Sequence, residues 1–341
     1  MDYFAGLDIS MKETHICVVD RDGKVTLEAK APTSPAAIAA ALAKAPALRR
    51  IVFETGRMAP TLFHGLDALG LPVICIESRH AYQALKSLAT HKTDRNDARG
   101  LAHLARAGFY KPIHVKSLAA HAVRALIIAR KKLVGQRVTL ENQIRGLAIV
   151  FGMRLPRGLS PAFADQVISG SGGVAGLSGA MRGLLATRHA VLGAIAAINC
   201  DIRRLARSSE ACRRLMTIPG VGQLTALAFV AAIDEPDRFR SSRDVGPYLG
   251  LVPRRWKSGE IDYSGSISKV GDRRLRTLLY EAANVMLTRY RGDLALKDWA
   301  LRIGRRSTMR KARVALARRL AIIMHAMLRD GTDFHGVKSH C

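Results

Sequence analysis

The chain has 341 residues, with 54 lysines and arginines against 27 aspartates and glutamates, a formal net charge of +27. Apolar residues make up 48% and aromatics 5%, which is too apolar for a disordered chain and long enough for two cores. The longest apolar run, Leu224 to Ile233 with Thr225 inside it, is too short to cross a bilayer, so no membrane partner is expected. The N-terminus lacks a basic region ahead of an apolar one, and the five cysteines are scattered without metal or disulfide spacing. The expectation is a cytosolic protein with reduced thiols. Residues 1–112 carry a net +4 and residues 113–341 a net +23. An excess that large points to a polyanionic partner, DNA or RNA, whose neutralised phosphates release counterions.

In chain order, Tyr3 to Ile9, His15 to Asp20 and Lys24 to Ala29 read as three strands, with Asp22-Gly23 as a hairpin turn. Ser34-Pro35 opens an alanine-rich helix to about Ala45. Ile51 to Phe53 is a buried strand ending at Glu54. Pro60 to Leu69 is helical and closed by Gly70. Pro72 to Glu77 is a fifth strand, and a helix follows from about Thr93. Three strands in an antiparallel meander, continuing into parallel βα units, are the element order of a ribonuclease H-like α/β fold.

Leu126, Leu133, Leu140 and Leu147 recur every seven residues. Val191, Ile195, Ile198, Ile202 and Leu205 alternate spacings of four and three. Both stripes predict long helices with a narrow apolar seam, suited to a coiled coil within or between chains. Between them, residues 152–183 hold eight glycines and few large apolar residues, the composition of a loop. The expected domains are 1–112, 113–210 and 211–341, the last mainly helical. In it, Leu215 to Ile233 reads as helix, tight turn, helix, like a helix–hairpin–helix element. Gly220 and Gly222 would let backbone amides approach a phosphate, or simply let two helices pack. Arg302 to Arg319 carries eight basic residues, Arg305, Arg306 and Arg310 among them.

Asp8 lies in an apolar strand, where an unpaired charge is costly. Glu54 ends the next buried strand. Asp94 and Asp97 stand three apart at a helix start and share a face with Leu101 and Leu104, which pack on the sheet. In the proposed fold the strands of Asp8 and Glu54 are neighbours. Four converging carboxylates suit Mg²⁺ or Mn²⁺, and two such ions can assist phosphodiester cleavage. Taken singly, each could be a solvated strand end or a helix-dipole partner.

Gly6-Leu7-Asp8-Ile9-Ser10, Phe53-Glu54-Thr55-Gly56 and Lys92-Thr93-Asp94-Arg95-Asn96-Asp97-Ala98 together resemble the DEDD transposases of the IS110 insertion-sequence family, IS1111 elements included. Further along, Ile218-Pro219-Gly220-Val221-Gly222, Tyr248-Leu249-Gly250-Leu251-Val252-Pro253, Ser258-Gly259, Ile267-Ser268-Lys269 and Gly271-Asp272-Arg273-Arg274-Leu275-Arg276 match in the family's order. The resemblance implies a RuvC-like N-terminal domain with Asp8, Glu54, Asp94 and Asp97 as a metal-binding tetrad. It implies a C-terminal transposase domain with Ser258 as nucleophile. It also implies a structured guide RNA from the element, DNA ends and target as substrates, and a homo-oligomer (dimer or tetramer) with composite sites. Lys257 stands where many members have a further serine. Arg254, Arg255 and Lys257 could hold a phosphate beside Ser258, whose hydroxyl needs activation. Ser241 and Ser242 precede the Gly-Leu-Val-Pro motif and rank lower.

The leading expectation is a transposase or site-specific recombinase that cuts and rejoins DNA through Ser258 with metal assistance. A RuvC-like junction endonuclease using water needs only the tetrad. A non-catalytic nucleic-acid-binding protein needs neither the tetrad nor Ser258.

Overall fold

The computed structural model describes residues 2–88, 93–156 and 160–335. Lys92, Gly158 and Cys341 lie outside the described residues. The chain forms two compact units, 1–118 and 119–341.

In the first unit, β1 (Tyr3–Ile9), β2 (Glu13–Val19), β3 (Val25–Pro32), β4 (Leu48–Glu54) and β5 (Val73–Ile76) build one sheet in the order β3-β2-β1-β4-β5. The meander β1-β2-β3 is antiparallel, and β1-β4-β5 is parallel. Local chemistry fixes the connections. Asp20 accepts from the amides of Asp22 and Lys24, and Gly23 takes the positive φ that closes the β2–β3 turn. Helices α1 (Pro35–Leu42), α2 (Ala59–Asp67), α3 (Ser78–Leu88) and α4 (Asp94–Ala107) complete the unit. Ser34 caps α1 with Pro35 in its first turn, and Thr93 caps α4 by accepting from the Asn96 amide. The strands alternate faces. Ala5, Leu7, Ile51 and Phe53 pack under α1 and α2, while Phe4, Cys17 and Val52 pack under α3 and α4. That alternation puts Asp8 and Glu54 on the α4 face of adjacent strands, one step past the Leu7–Phe53 pair.

The second unit contains α5 (Leu118–Val150), α6 (Phe163–Ser171), α7 (Leu177–Ser208), α8 (Glu210–Leu215), α9 (Gln223–Ile233), two short 3-10 turns, and α10 (Val245–Tyr248). A hairpin of β6 (Pro253–Ser258) and β7 (Ile261–Ile267) follows, then α11 (Arg273–Thr288), α12 (Ala295–Arg306) and α13 (Met309–Asp330). Residues 119–210, the greater part of the expected domain 113–210, lie in this unit together with 211–341. Ile202 and Ala206 of α7 join the core of Leu215, Ile218, Leu279, Leu316 and Met324.

The two long helices form where the stripes predict them, but the seam is displaced. Ala120, Ile127, Glu141, Ile144 and Ala148 are the buried positions of α5, while Leu126, Leu133, Leu140 and Leu147 are half-buried. On α7, Leu205 is exposed and Ala206 buried instead. Within one chain α5 and α7 run antiparallel, joined by Arg130 donating to Asn199 at 2.6 Å and Arg188 donating to Glu141 at 3.0 Å. Glu141 is buried, so its seam position is tolerated only because Arg188 pairs with it. Residues 152–183 are not the expected loop. They hold α6 and the first turns of α7, because Phe163, Val167, Leu177 and Met181 close a small core with Ile144 and Ala148. Two apolar pairs at i, i+4 spacing outweigh the glycines there. By length and composition α7 could cross a membrane, with a mean hydropathy of 1.3 over its most apolar window. It packs on α6, α8 and α9, and its buried Arg188 pairs with Glu141 of α5.

Candidate active site

Asp8, Glu54 and Asp97 line one cleft of about 670 Å³ at the carboxyl end of β1 and β4. Ser10, Thr55, Arg57, Tyr82 and Lys86 also line it. Asp94 is not among the described lining residues. Its carboxylate lies 3.8 Å from His15 Nε2, on β2, and its side chain is 65% exposed. By spacing alone, both aspartates extend one core-facing stripe. In the structure one helical turn separates them, and only Asp97 reaches the cleft, because it is one turn nearer the buried Leu101.

Gly6 sets how close α4 comes. A Cβ on Gly6 would sit 2.2 Å from both the Ala98 carbonyl oxygen and the Ala102 amide nitrogen. Only glycine allows that approach, and it brings Asp97 to the end of the strand that carries Asp8. Arg95 and Arg99 donate to the two oxygens of Glu28 on β3, each through a bond of 2.8 Å, which fixes the rotation of α4. The hydrogen bond from Arg95 is the main reason the Glu28 carboxyl is held below the usual carboxylate range. In the Thr93-to-Asp97 stretch, then, Thr93 caps the helix, Asp94 faces His15, Arg95 anchors to β3 and Asp97 enters the cleft. Burial pushes the Cys17 and Cys75 thiols up to about 11, which makes them core residues and not thiolate ligands.

Ser258 is the last residue of β6, exposed at the tip of the β6–β7 hairpin. The two-residue connection Gly259-Glu260 needs a positive φ at its first position, and Gly259 has φ of 55°. Among the described residues the Ser258 hydroxyl has no hydrogen-bond partner. Arg254, Arg255 and Lys257 are exposed on the same strand. Arg255 pairs bidentately with Asp262, and Arg254 donates to the Ser268 carbonyl. The other serines are committed. Ser241 accepts from the Arg243 amide as a cap. Ser242 is buried, with its Oγ 2.9 Å from His325 Nδ1. Because His325 Nε2 faces the Pro236 carbonyl at 3.0 Å, it must carry the proton, and Nδ1 accepts from Ser242. Burial pushes the His325 pKa down, in keeping with a neutral core imidazole.

Gly220 serves packing, since its Cβ would lie 2.4 Å from the Ala282 carbonyl oxygen of α11. Gly222 opens α9 with free space around it. Arg305, Arg306 and Arg310 are exposed at the junction of α12 and α13. Helix α3, with Tyr82, Leu85 and Lys86 on the cleft, was not anticipated. Its signal was present in the four-residue spacing of Ala81 and Leu85, both buried.

A DEDD transposase model of the IS110 type matches residues 5–149. A model described as the transposase IS116/IS110/IS902 family matches residues 212–299. Together with the mixed α/β unit carrying the acidic cleft, these matches define a DNA transposase. The transposase for insertion sequence element IS1111A of Coxiella burnetii is 30% identical over 328 residues, covering 95% of this chain and 88% of its own. The transposase for insertion sequence element IS1328 of Yersinia enterocolitica is 27% identical over 334 residues, 96% and 97% of the two chains. The pilin gene-inverting protein of Moraxella bovis is 31% identical over 140 residues, 40% of this chain and 41% of its own. The chain belongs to the IS116/IS110/IS902 family of insertion-sequence transposases.

Proposed function

We propose that this transposase cuts and rejoins DNA strands through Ser258, assisted by divalent metal held by Asp8, Glu54, Asp94 and Asp97 in a RuvC-like unit. The observation that carries the reading is the convergence of Asp8, Glu54 and Asp97 on one cleft. Hard carboxylate oxygens gathered there, with Asp94 one helical turn away, suit Mg²⁺ or Mn²⁺. A bound divalent ion supplies Lewis-acid polarisation of a phosphate oxygen. The chain's own residues do the rest. Ser258 Oγ attacks phosphorus, an Oγ–P bond forms as a P–O bond to sugar breaks, and the departing oxygen takes the proton that serine gives up. Rejoining reverses this, so the number of phosphodiester bonds is conserved. Arg254, Arg255 and Lys257 position the phosphate. Gly220, Gly222, Arg305, Arg306 and Arg310 contact nucleic acid elsewhere on the second unit, and a structured RNA from the element directs the choice of DNA. The long helices act as a coiled coil in a dimer or tetramer that combines acidic cleft and serine from different subunits.

The rival hydrolytic reading is favoured by one observation, the absence of any described base beside Ser258. Both are tested by incubating the protein with RNA transcribed from its flanking DNA, a DNA substrate and Mg²⁺, then running denaturing gels. The proposal predicts a covalent protein–DNA adduct that disappears in Ser258→Ala while binding persists. Free 5′ phosphates without adduct in the wild-type protein would establish hydrolysis instead.

A further inference from the structure

Three large apolar side chains stand in water on the hairpin that carries Ser258. Trp256 is 73% exposed, Ile261 68% and Tyr263 67%. Their placement is not scattered. Trp256 pairs across the strands with Tyr263, and Ser258 with Ile261. Side chains two apart on a strand share a face, and cross-strand partners share it too. Trp256, Ser258, Ile261 and Tyr263 therefore form one face, and Arg255, Lys257, Asp262 and Ser264 form the other. Gly265 extends the first face without a side chain, so the Tyr263 ring lies over it: a Cβ there would be 3.5 Å from the ring.

Exposed tryptophan and tyrosine on a two-stranded ribbon are unfavourable in a protein that needs only solubility. Its surroundings are cationic: Arg254 stands two residues before Trp256, Arg255 and Lys257 project from the other face of the same strand, and residues 113–341 carry a net +23. Exposed flat aromatic rings on a positively charged surface are a means by which proteins hold unpaired bases.

We propose that Trp256 and Tyr263 are a stacking platform for unpaired bases of the DNA strand being cut, and that the platform places the adjoining phosphate beside Ser258. The choice of DNA rests on Ser258 being the nucleophile, since the strand on that face must then carry the scissile phosphate. The stacking itself is measured independently of cleavage. Trp256 and Tyr263 are binding and positioning residues, and as exposed side chains they can be replaced without disturbing the core.

The test uses the full-length protein and DNA of about 20 nucleotides, single-stranded or as the matching duplex, with an RNA strand of the same sequence for comparison. Trp256→Leu should weaken single-strand DNA binding by about 5- to 100-fold and leave duplex binding within about twofold. Trp256→Phe should keep most of the affinity. Single-stranded DNA should quench tryptophan emission in Trp299→Phe, where Trp256 is the remaining indole, and not in Trp256→Phe. Unchanged single-strand affinity in Trp256→Leu, equal loss on duplex, or loss on RNA alone would overturn the platform. So would a self-association that Trp256→Leu abolishes, which would make a second copy the occupant. Adducts persisting in Ser258→Ala would overturn the nucleophile reading, and with it the placing of the phosphate, while the stacking would stand on the binding data.

Discussion

Replacing Asp8 by asparagine is expected to cut strand cleavage by about a thousandfold or more and to leave the fold intact. Asn keeps the shape and removes one carboxylate charge from a cleft that Glu54 and Asp97 also line. Lewis-acid stabilisation of the reacting phosphate is worth several kcal/mol, and about 4 kcal/mol corresponds to a factor of about a thousand in rate. The effect on stability has the opposite sign. Without divalent ions, neighbouring carboxylates repel, so Asp8→Asn in chelator should melt at or above the wild-type temperature. Cleavage of end-labelled DNA and a thermal melt check the two halves. A variant that cleaves at a rate near the wild type would remove Asp8 from the chemistry.

Gly6→Ala is expected to destabilise the first unit by about 3 kcal/mol and to reduce cleavage further than the unfolded fraction explains. Overpacking commonly costs about 1–3 kcal/mol. The upper end applies because the added carbon meets backbone atoms of α4 at 2.2 Å, and a backbone cannot turn aside as a side chain can. Helix α4 must move outward, and Asp97 moves with it. Gly146, in α5 with open space at its Cβ position, is the control: alanine there should be neutral or stabilising. Urea titrations of both variants with cleavage assays separate the two effects. Gly6→Ala at wild-type stability would contradict the packing.

Much of this was readable from the chain because local signals agreed with the global fold. The β1 span, the caps Ser34 and Thr93, the turn at Gly23 and the neighbouring of β1 and β4 follow from periodicity and turn chemistry. What escaped depended on contacts between distant residues. The positions of Asp94 and Asp97 cannot be separated by spacing alone, since i, i+3 residues share a face whatever packs on it. The tilt of α4, set by Gly6 and Glu28, decides that Asp97 alone lines the cleft. Likewise the leucine heptad marks α5 as a helix, but the seam falls one residue on because Glu141 finds Arg188 across it. The glycine count of 152–183 concealed a helix that four apolar residues anchor. The aromatic face around Ser258 became visible only with the strand register.

Manganese binding measured by titration calorimetry on the protein without nucleic acid separates a metal centre from a merely acidic cleft. The wild type should bind Mn²⁺ saturably. Asp8→Asn, Glu54→Gln and Asp97→Asn should each lose most of that binding, and Asp94→Asn, whose carboxylate leans toward His15, should lose less. Equal Mn²⁺ affinity in the wild type and the first three variants would contradict a metal site in this cleft.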